Sequence, residues 1–151
     1  MGKKRVIKKT AEEILKEGKN VEKALSKDTI KRAKVGKISI AKVYIKSSYN
    51  NTIMTLTDLK GDVLVSRSTG NLGFKGTKQS TSYAASKVAD AIAAIIEKLE
   101  IKQVEIIIRG VGSGREAAVR SLSAQGVEIN SIKDKTSIPH GGCRPPKARR
   151  A

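Results

Sequence analysis

The sequence predicts a three-layer α/β domain on a five-stranded mixed sheet, its elements in the order β-β-β-α-β-α-β, carried between two basic arms. Three observations predict it. Apolar and polar residues alternate through residues 38–66, the period of strands. The period turns helical over residues 81–99 and again over about 115–124. Between those helices runs an apolar stretch, Val104 to Ile108, of the kind found in a strand buried on both faces.

In residues 38–46 the apolar positions are Ile38, Ile40, Val43 and Ile45, with one slip of register between Ile40 and Val43. Tyr49-Asn50-Asn51-Thr52 reads as a turn. Ile53 to Thr57 is the next strand, with Ile53, Thr55 and Thr57 on one face. Leu59-Lys60-Gly61-Asp62 is a tight turn, and Val63 to Ser66 completes an antiparallel meander. Thr69 to Gln79 is a loop with Gly70, Gly73 and Gly76 placed around Phe74, Lys75 and Lys78. The long helix carries Ala84, Ala85, Val88, Ala91, Ile92, Ile95, Ile96 and Leu99 on one broad face. Lys87, Asp90, Glu97 and Lys98 fall mostly opposite. After the buried strand come a loop, Gly110 to Gly114, and a helix from about Arg115 to Ala124. Ala118, Val119 and Leu122 point inward there, and Gly126 is the stop. Val127 to Ile132 is the last strand. Two right-handed crossovers join these later strands.

The chain has 151 residues, enough for one real core, and a net charge of +17. Residues 1–37 hold 13 basic and 5 acidic side chains, residues 38–143 hold 14 and 9, and residues 144–151 hold 4 and none. The ends therefore look like arms for a polyanion around an ordinary domain. Residues 1–37 form a basic extension. Segments 11–17 and 21–33 within it can each make a short helix, marginal alone and ordered on a partner. Residues 38–137 form the domain and residues 138–151 a tail. Pro139, Pro145 and Pro146 exclude helix from that tail, and Arg144, Lys147, Arg149 and Arg150 give it charge. An extended basic peptide of this kind suits a path along phosphates, although an arbitrary basic tail is as often simply solvated.

Aromatic residues make up 3%, with no Trp, which argues against stacking along a single strand and favours folded RNA read through backbone and shape. Lone Cys143 excludes an internal disulfide, and Cys143 with His140 is far short of a zinc site. No metal or other cofactor is expected. No apolar run spans a membrane, and the N-terminus lacks a signal core. Asp58 and Asp62 flank a turn as solvated aspartates commonly do. No catalytic constellation stands out, so an enzyme is not expected.

The segment Gly110-Val111-Gly112-Ser113-Gly114-Arg115-Glu116 sits between strand and helix, where nucleotide loops occur. A dinucleotide fingerprint requires glycine where Arg115 stands, and the Gly-Lys-Ser/Thr of a phosphate loop is absent. What remains is a capping box of Ser113 and Glu116, with Arg115 opposing the helix dipole and better used on an external anion. The loop of residues 70–78 offers backbone amides and two lysines to a similar surface, and Ser80, Thr81 and Ser82 can cap the helix behind it.

Asn50-Asn51-Thr52-Ile53, Gly73-Phe74-Lys75-Gly76, Ser80-Thr81, Ala84-Ala85, the 110–116 segment, Ile138-Pro139-His140 and the ending from Gly142 to Lys147 resemble the ribosomal protein S-eleven family, in order and spacing over residues 38–151. The bacterial form is the most similar. The resemblance implies a ribonuclease-H-like domain without nuclease activity. It implies binding to small-subunit ribosomal RNA in the platform, near the exit-site messenger path, in the cytoplasmic ribosome. Small-subunit proteins seven and eighteen would be neighbours, with messenger RNA nearby. By motif, the RNA-facing residues would be Asn50, Asn51, Thr52, Gly73, Phe74, Lys75, Gly76, Lys78, Ser113, Gly114, Arg115, His140, Cys143, Arg144, Pro145, Pro146, Lys147, Arg149 and Arg150. Residues 1–37 fit the family pattern least. Gly141 stands where many relatives carry Asn before Gly, so isoaspartate formation is impossible here. A general nucleic-acid-binding or RNA chaperone protein is the alternative reading, and an RNA-processing enzyme on the same fold is a weaker one.

Overall fold

Residues 38–144 are described by the computed structural model. The short helices expected in 1–37, and Pro145, Pro146, Lys147, Arg149 and Arg150 of the tail, lie outside the described residues. Five strands and two helices form in the expected order: β1 Ile40–Ser47, β2 Thr52–Thr57, β3 Val63–Ser68, α1 Ser82–Lys98, β4 Gln103–Arg109, α2 Gly114–Ala124 and β5 Glu128–Asp134. A short 3-10 turn, Gly76–Ser80, precedes α1.

The sheet order is β3-β2-β1-β4-β5. β1 pairs antiparallel with β2, and β2 with β3, while β1, β4 and β5 run parallel. The mixed five-stranded α/β fold is thus as expected. Its layering among the described residues differs from expectation. Both crossovers, β3 to β4 and β4 to β5, advance across the sheet in one direction. Equal handedness then places both helices on one face, where they pack on each other. The described residues supply two layers, sheet and helices, where three were expected.

The covered face explains the register slip of β1. Ala41, Val43, Ile45 and Ser47 are buried, so Ile40 belongs to the other face and Ala41 fills the inward position. Val43 lies between Leu56 and Ile106, and Ile45 between Met54 and Ile108, so the inward rows continue across three strands. Helix α1 lays nine buried residues on these rows, including Ala89 and Ala93. That face is wider than the expected stripe because α2 covers its flank with Ala118 and Leu122. Each large aliphatic chain so buried contributes roughly 1.5–3 kcal/mol relative to exposure. In β4, Ile107 faces away from the helices yet is buried, beside Tyr44 and Lys133 of the neighbouring strands.

The helix ends follow local chemistry. The Thr81 hydroxyl accepts from the Ala84 amide at 3.2 Å, capping α1. Helix α2 ends as expected at Gly126, whose φ of +79° only glycine adopts cheaply.

Candidate nucleic-acid interface

The parallel strands β1, β4 and β5 end at the same edge of the sheet, and both helices begin there. Three loops and the segment after β5 therefore converge on this carboxyl edge, and hydrogen bonds tie them together. The β1–β2 turn is closed by Ser48, whose amide and hydroxyl donate to the Asn51 carbonyl at 2.9 and 3.1 Å. It joins the loop after β3, because the Thr69 amide donates to Thr52 O at 3.1 Å and the Thr69 hydroxyl donates to Asn51 Oδ1. The 110–114 loop joins both. The Gly112 amide donates to Ser47 O at 3.0 Å, and Ser113 Oγ donates to Ser80 O at 2.9 Å.

This convergence explains the glycines of the 110–114 loop by close approach. A Cβ on Gly110 would lie 2.1 Å from Ser47 O, and one on Gly114 would lie 2.5 Å from Thr52 Oγ1. Thr52 and Gly114, both expected at the RNA, are instead buried against each other. Their part is to hold two surface loops together. The capping box is also absent. Ser113 has helical backbone angles and makes no cap bond, its hydroxyl being spent on Ser80, and Glu116 pairs instead with Arg120 at 3.3 Å.

Arg115 is half-buried and already has partners within the chain. Its Nη1 donates to Gly110 O at 3.0 Å and lies 3.3 Å from Asp134 Oδ2. The Thr136 hydroxyl and amide, with a lesser part from the Arg115 charge, hold the Asp134 carboxyl below the usual carboxylate range against the opposing effect of burial. This network fixes the exit of the chain from β5. Phe74 is half-buried against the core and meets Tyr83 edge-to-face, so it anchors its loop. The loop is further held by Gln79 Nε2, which donates to Phe74 O at 2.9 Å.

The other expected residues are on the surface of this edge. Asn50, Gly73, Lys75, Gly76, Lys78 and Ser113 are exposed, and Asn51 is half-buried. His140, Cys143 and Arg144 are exposed on the segment that leaves the same edge. Gly141 has a φ of +61°, a conformation that Asn also tolerates, so the exchange between them leaves this turn possible. Around these residues stand Lys46, Arg67, Arg109 and Lys135, which motif reading missed because they lie at strand ends far apart in sequence. Asp134 and Glu116 are the carboxylates here, and each already pairs with an arginine. At the opposite edge Asp58, Asp62, Glu97, Glu100 and Glu128 mix with lysines. The field is therefore positive at one edge and balanced at the other. Among the described residues there is no group of three or more His, Cys, Asp or Glu placed to hold a metal ion. No described helix is long and apolar enough to cross a membrane.

The family model described as Ribosomal protein S11 matches residues 40–150. The chain belongs to the ribosomal protein S11 family. A curated relative, "Small ribosomal subunit protein uS11" of the bacterium Thermosipho melanesiensis, is 52% identical over 120 residues, covering 80% of this chain and 93% of the relative. The S11 match begins at the first residue of β1, so it leaves the basic N-terminal extension outside. It takes in all four segments that converge on the carboxyl edge.

Proposed function

We propose that this chain is a structural constituent of the small ribosomal subunit that holds ribosomal RNA against the carboxyl edge of its sheet. The observation that carries the reading is the convergence of the family's glycine loops and the exposed Lys75, Lys78, Arg144 and Lys135 on one edge with its carboxylates already paired. Family membership and the name of the curated relative supply the ribosomal context. The folded domain presents preset loops to RNA backbone, and Arg144 starts the basic tail on the same side. The finer location follows the same resemblance: the platform, near the exit-site messenger path, with proteins seven and eighteen as neighbours in the cytoplasmic ribosome. Structural binding requires no catalytic group and no cofactor.

Binding measured against rising salt tests the reading. Several phosphate contacts give a log–log slope of about −0.7 to −0.9 per contact. The full chain is expected to bind small-subunit RNA with a steep slope and to resist competition by duplex DNA. A flat slope would overturn the phosphate mechanism. Equal competition by duplex DNA would favour the general nucleic-acid-binding alternative.

A further inference from the structure

The three tyrosines of the described residues, Tyr44, Tyr49 and Tyr83, are all exposed, while the fully buried core is aliphatic apart from Met54. Folding gains little from a ring left in water, so an exposed ring that is nonetheless held in place points to a ligand. Tyr83 is such a ring. It is 65% exposed at the start of α1. Phe74 meets it edge-to-face at 6.1 Å between centroids and 86° between planes, and Lys87 Nζ lies 5.8 Å from its centroid. Phe74 is in turn packed on the core, and Lys87 is paired with Asp90 at 3.1 Å, so both neighbours are themselves fixed. Orientation before binding lowers the entropic cost of stacking. Lys75 and Lys78, in the turn leading into α1, supply charge for phosphates beside a stacked base.

We propose that Tyr83 stacks on an unpaired base of the ribosomal RNA, with Phe74 as the positioning residue that sets the angle of the ring. The proposal rests on the RNA-binding reading and adds to it. Backbone contacts carry no direct sequence information, whereas a stacked base marks a bulge, loop or end. Scarcity of aromatics argues against a protein that tracks many bases of a single strand. It leaves room for one base taken at one point.

The chain has no Trp, so its emission comes from tyrosine. In full-length protein carrying Tyr44→Phe and Tyr49→Phe, Tyr83 is the emitter. Small-subunit RNA is expected to quench it on binding, after correction for RNA absorbance. Tyr83→Leu is expected to weaken binding about 5- to 100-fold, and Tyr83→Phe less than about twofold. Neither should change the salt slope, because stacking releases no counterions. Equal melting temperatures for these surface variants show that folding is intact, and the emission measurement needs no change at Tyr83 itself. Bound RNA with unquenched Tyr83, or Tyr83→Leu binding as tightly as the parent, would overturn the stacking proposal alone. Failure of the parent protein to bind small-subunit RNA would overturn the functional reading, and this one with it.

Discussion

An alanine at Gly112 puts a methyl group where the chain has no room. Its Cβ would lie 2.4 Å from Ser47 Oγ and 2.4 Å from Ser48 O. Neither oxygen can move aside cheaply. Ser48 O is backbone, and the buried Ser47 hydroxyl is bonded to Thr52 Oγ1 at 3.2 Å. Ordinary contact begins at 3.4 Å, so one loop must retreat by about 1 Å. That retreat breaks the 3.0 Å bond from the Gly112 amide to Ser47 O. Overpacking costs roughly 1–3 kcal/mol and the lost bond about 1 more, giving ~2–4 kcal/mol. At about 4 °C per kcal/mol for a domain of this size, the midpoint of thermal unfolding should fall by ~8–16 °C. Circular dichroism of the full chain at neutral pH reads this directly. Gly126→Ala is the control, because nothing lies within 4 Å of its Cβ and the penalty is left-handed strain of about 1–2 kcal/mol. RNA affinity of Gly112→Ala should also fall at temperatures where it stays folded, since the β1–β2 and 110–114 loops separate. A midpoint within about 2 °C of the parent would refute the packing of these two loops.

Three further outcomes are expected. Burial tends to raise the Asp90 carboxyl, but bonds from Ser121 Oγ at 2.6 Å, Lys87 Nζ at 3.1 Å and Gln125 Nε2 at 3.2 Å, with the Lys87 charge, hold it below its ordinary 3.8. A depressed carboxyl stabilises the fold above its unfolded value and loses that effect as pH falls through the folded value. Asp90→Asn should therefore cost about 1 kcal/mol at neutral pH and nothing at the acid end of a denaturation series, and a pH-independent difference would contradict the ion-pair account. Lys75→Ala should lower RNA affinity and flatten the salt slope by about 0.7–0.9 without changing the melting temperature; an unchanged slope would remove Lys75 from the interface. Truncation after Cys143 removes four basic residues, so it should weaken assembly into the small subunit while the domain melts as before. Normal incorporation of the truncated chain would sink the tail's role.

Much of the fold was legible because it depends on short-range pattern. Alternation located β1 to β3, the 3.6-residue period located α1 and α2, and Gly126 marked the stop of α2. The 3-10 turn at Gly76–Ser80 was not legible, since no apolar period distinguishes it from loop. Layering needed the direction of both crossovers, which spacing alone does not give. In the site, the glycine loops and basic residues were found, but their roles were mixed. Thr52 and Gly114 carry the family's motif yet are buried, because a motif records position and not the reason for it. Ser113 and Glu116 matched a capping box, but a tertiary partner, Ser80, took the serine hydroxyl. Arg115 faced an external anion on dipole grounds until Asp134, 19 residues further on, supplied an internal one. Tyr83 gave no signal as a lone aromatic beside a run of alanines; only its exposure together with its fixed neighbours marks it.

The central claim is that the carboxyl edge of the sheet faces RNA. Cleavage by a tethered hydroxyl-radical source tests it most directly. With Cys143→Ser as background, Thr77→Cys places the probe on the exposed turn at that edge, and Lys60→Cys places it on the β2–β3 turn at the opposite edge. In reconstituted small subunits, the probe at position 77 should cut a discrete set of ribosomal RNA nucleotides strongly, and the probe at position 60 should cut weakly. Equal cutting from both positions, or stronger cutting from position 60, would contradict the account.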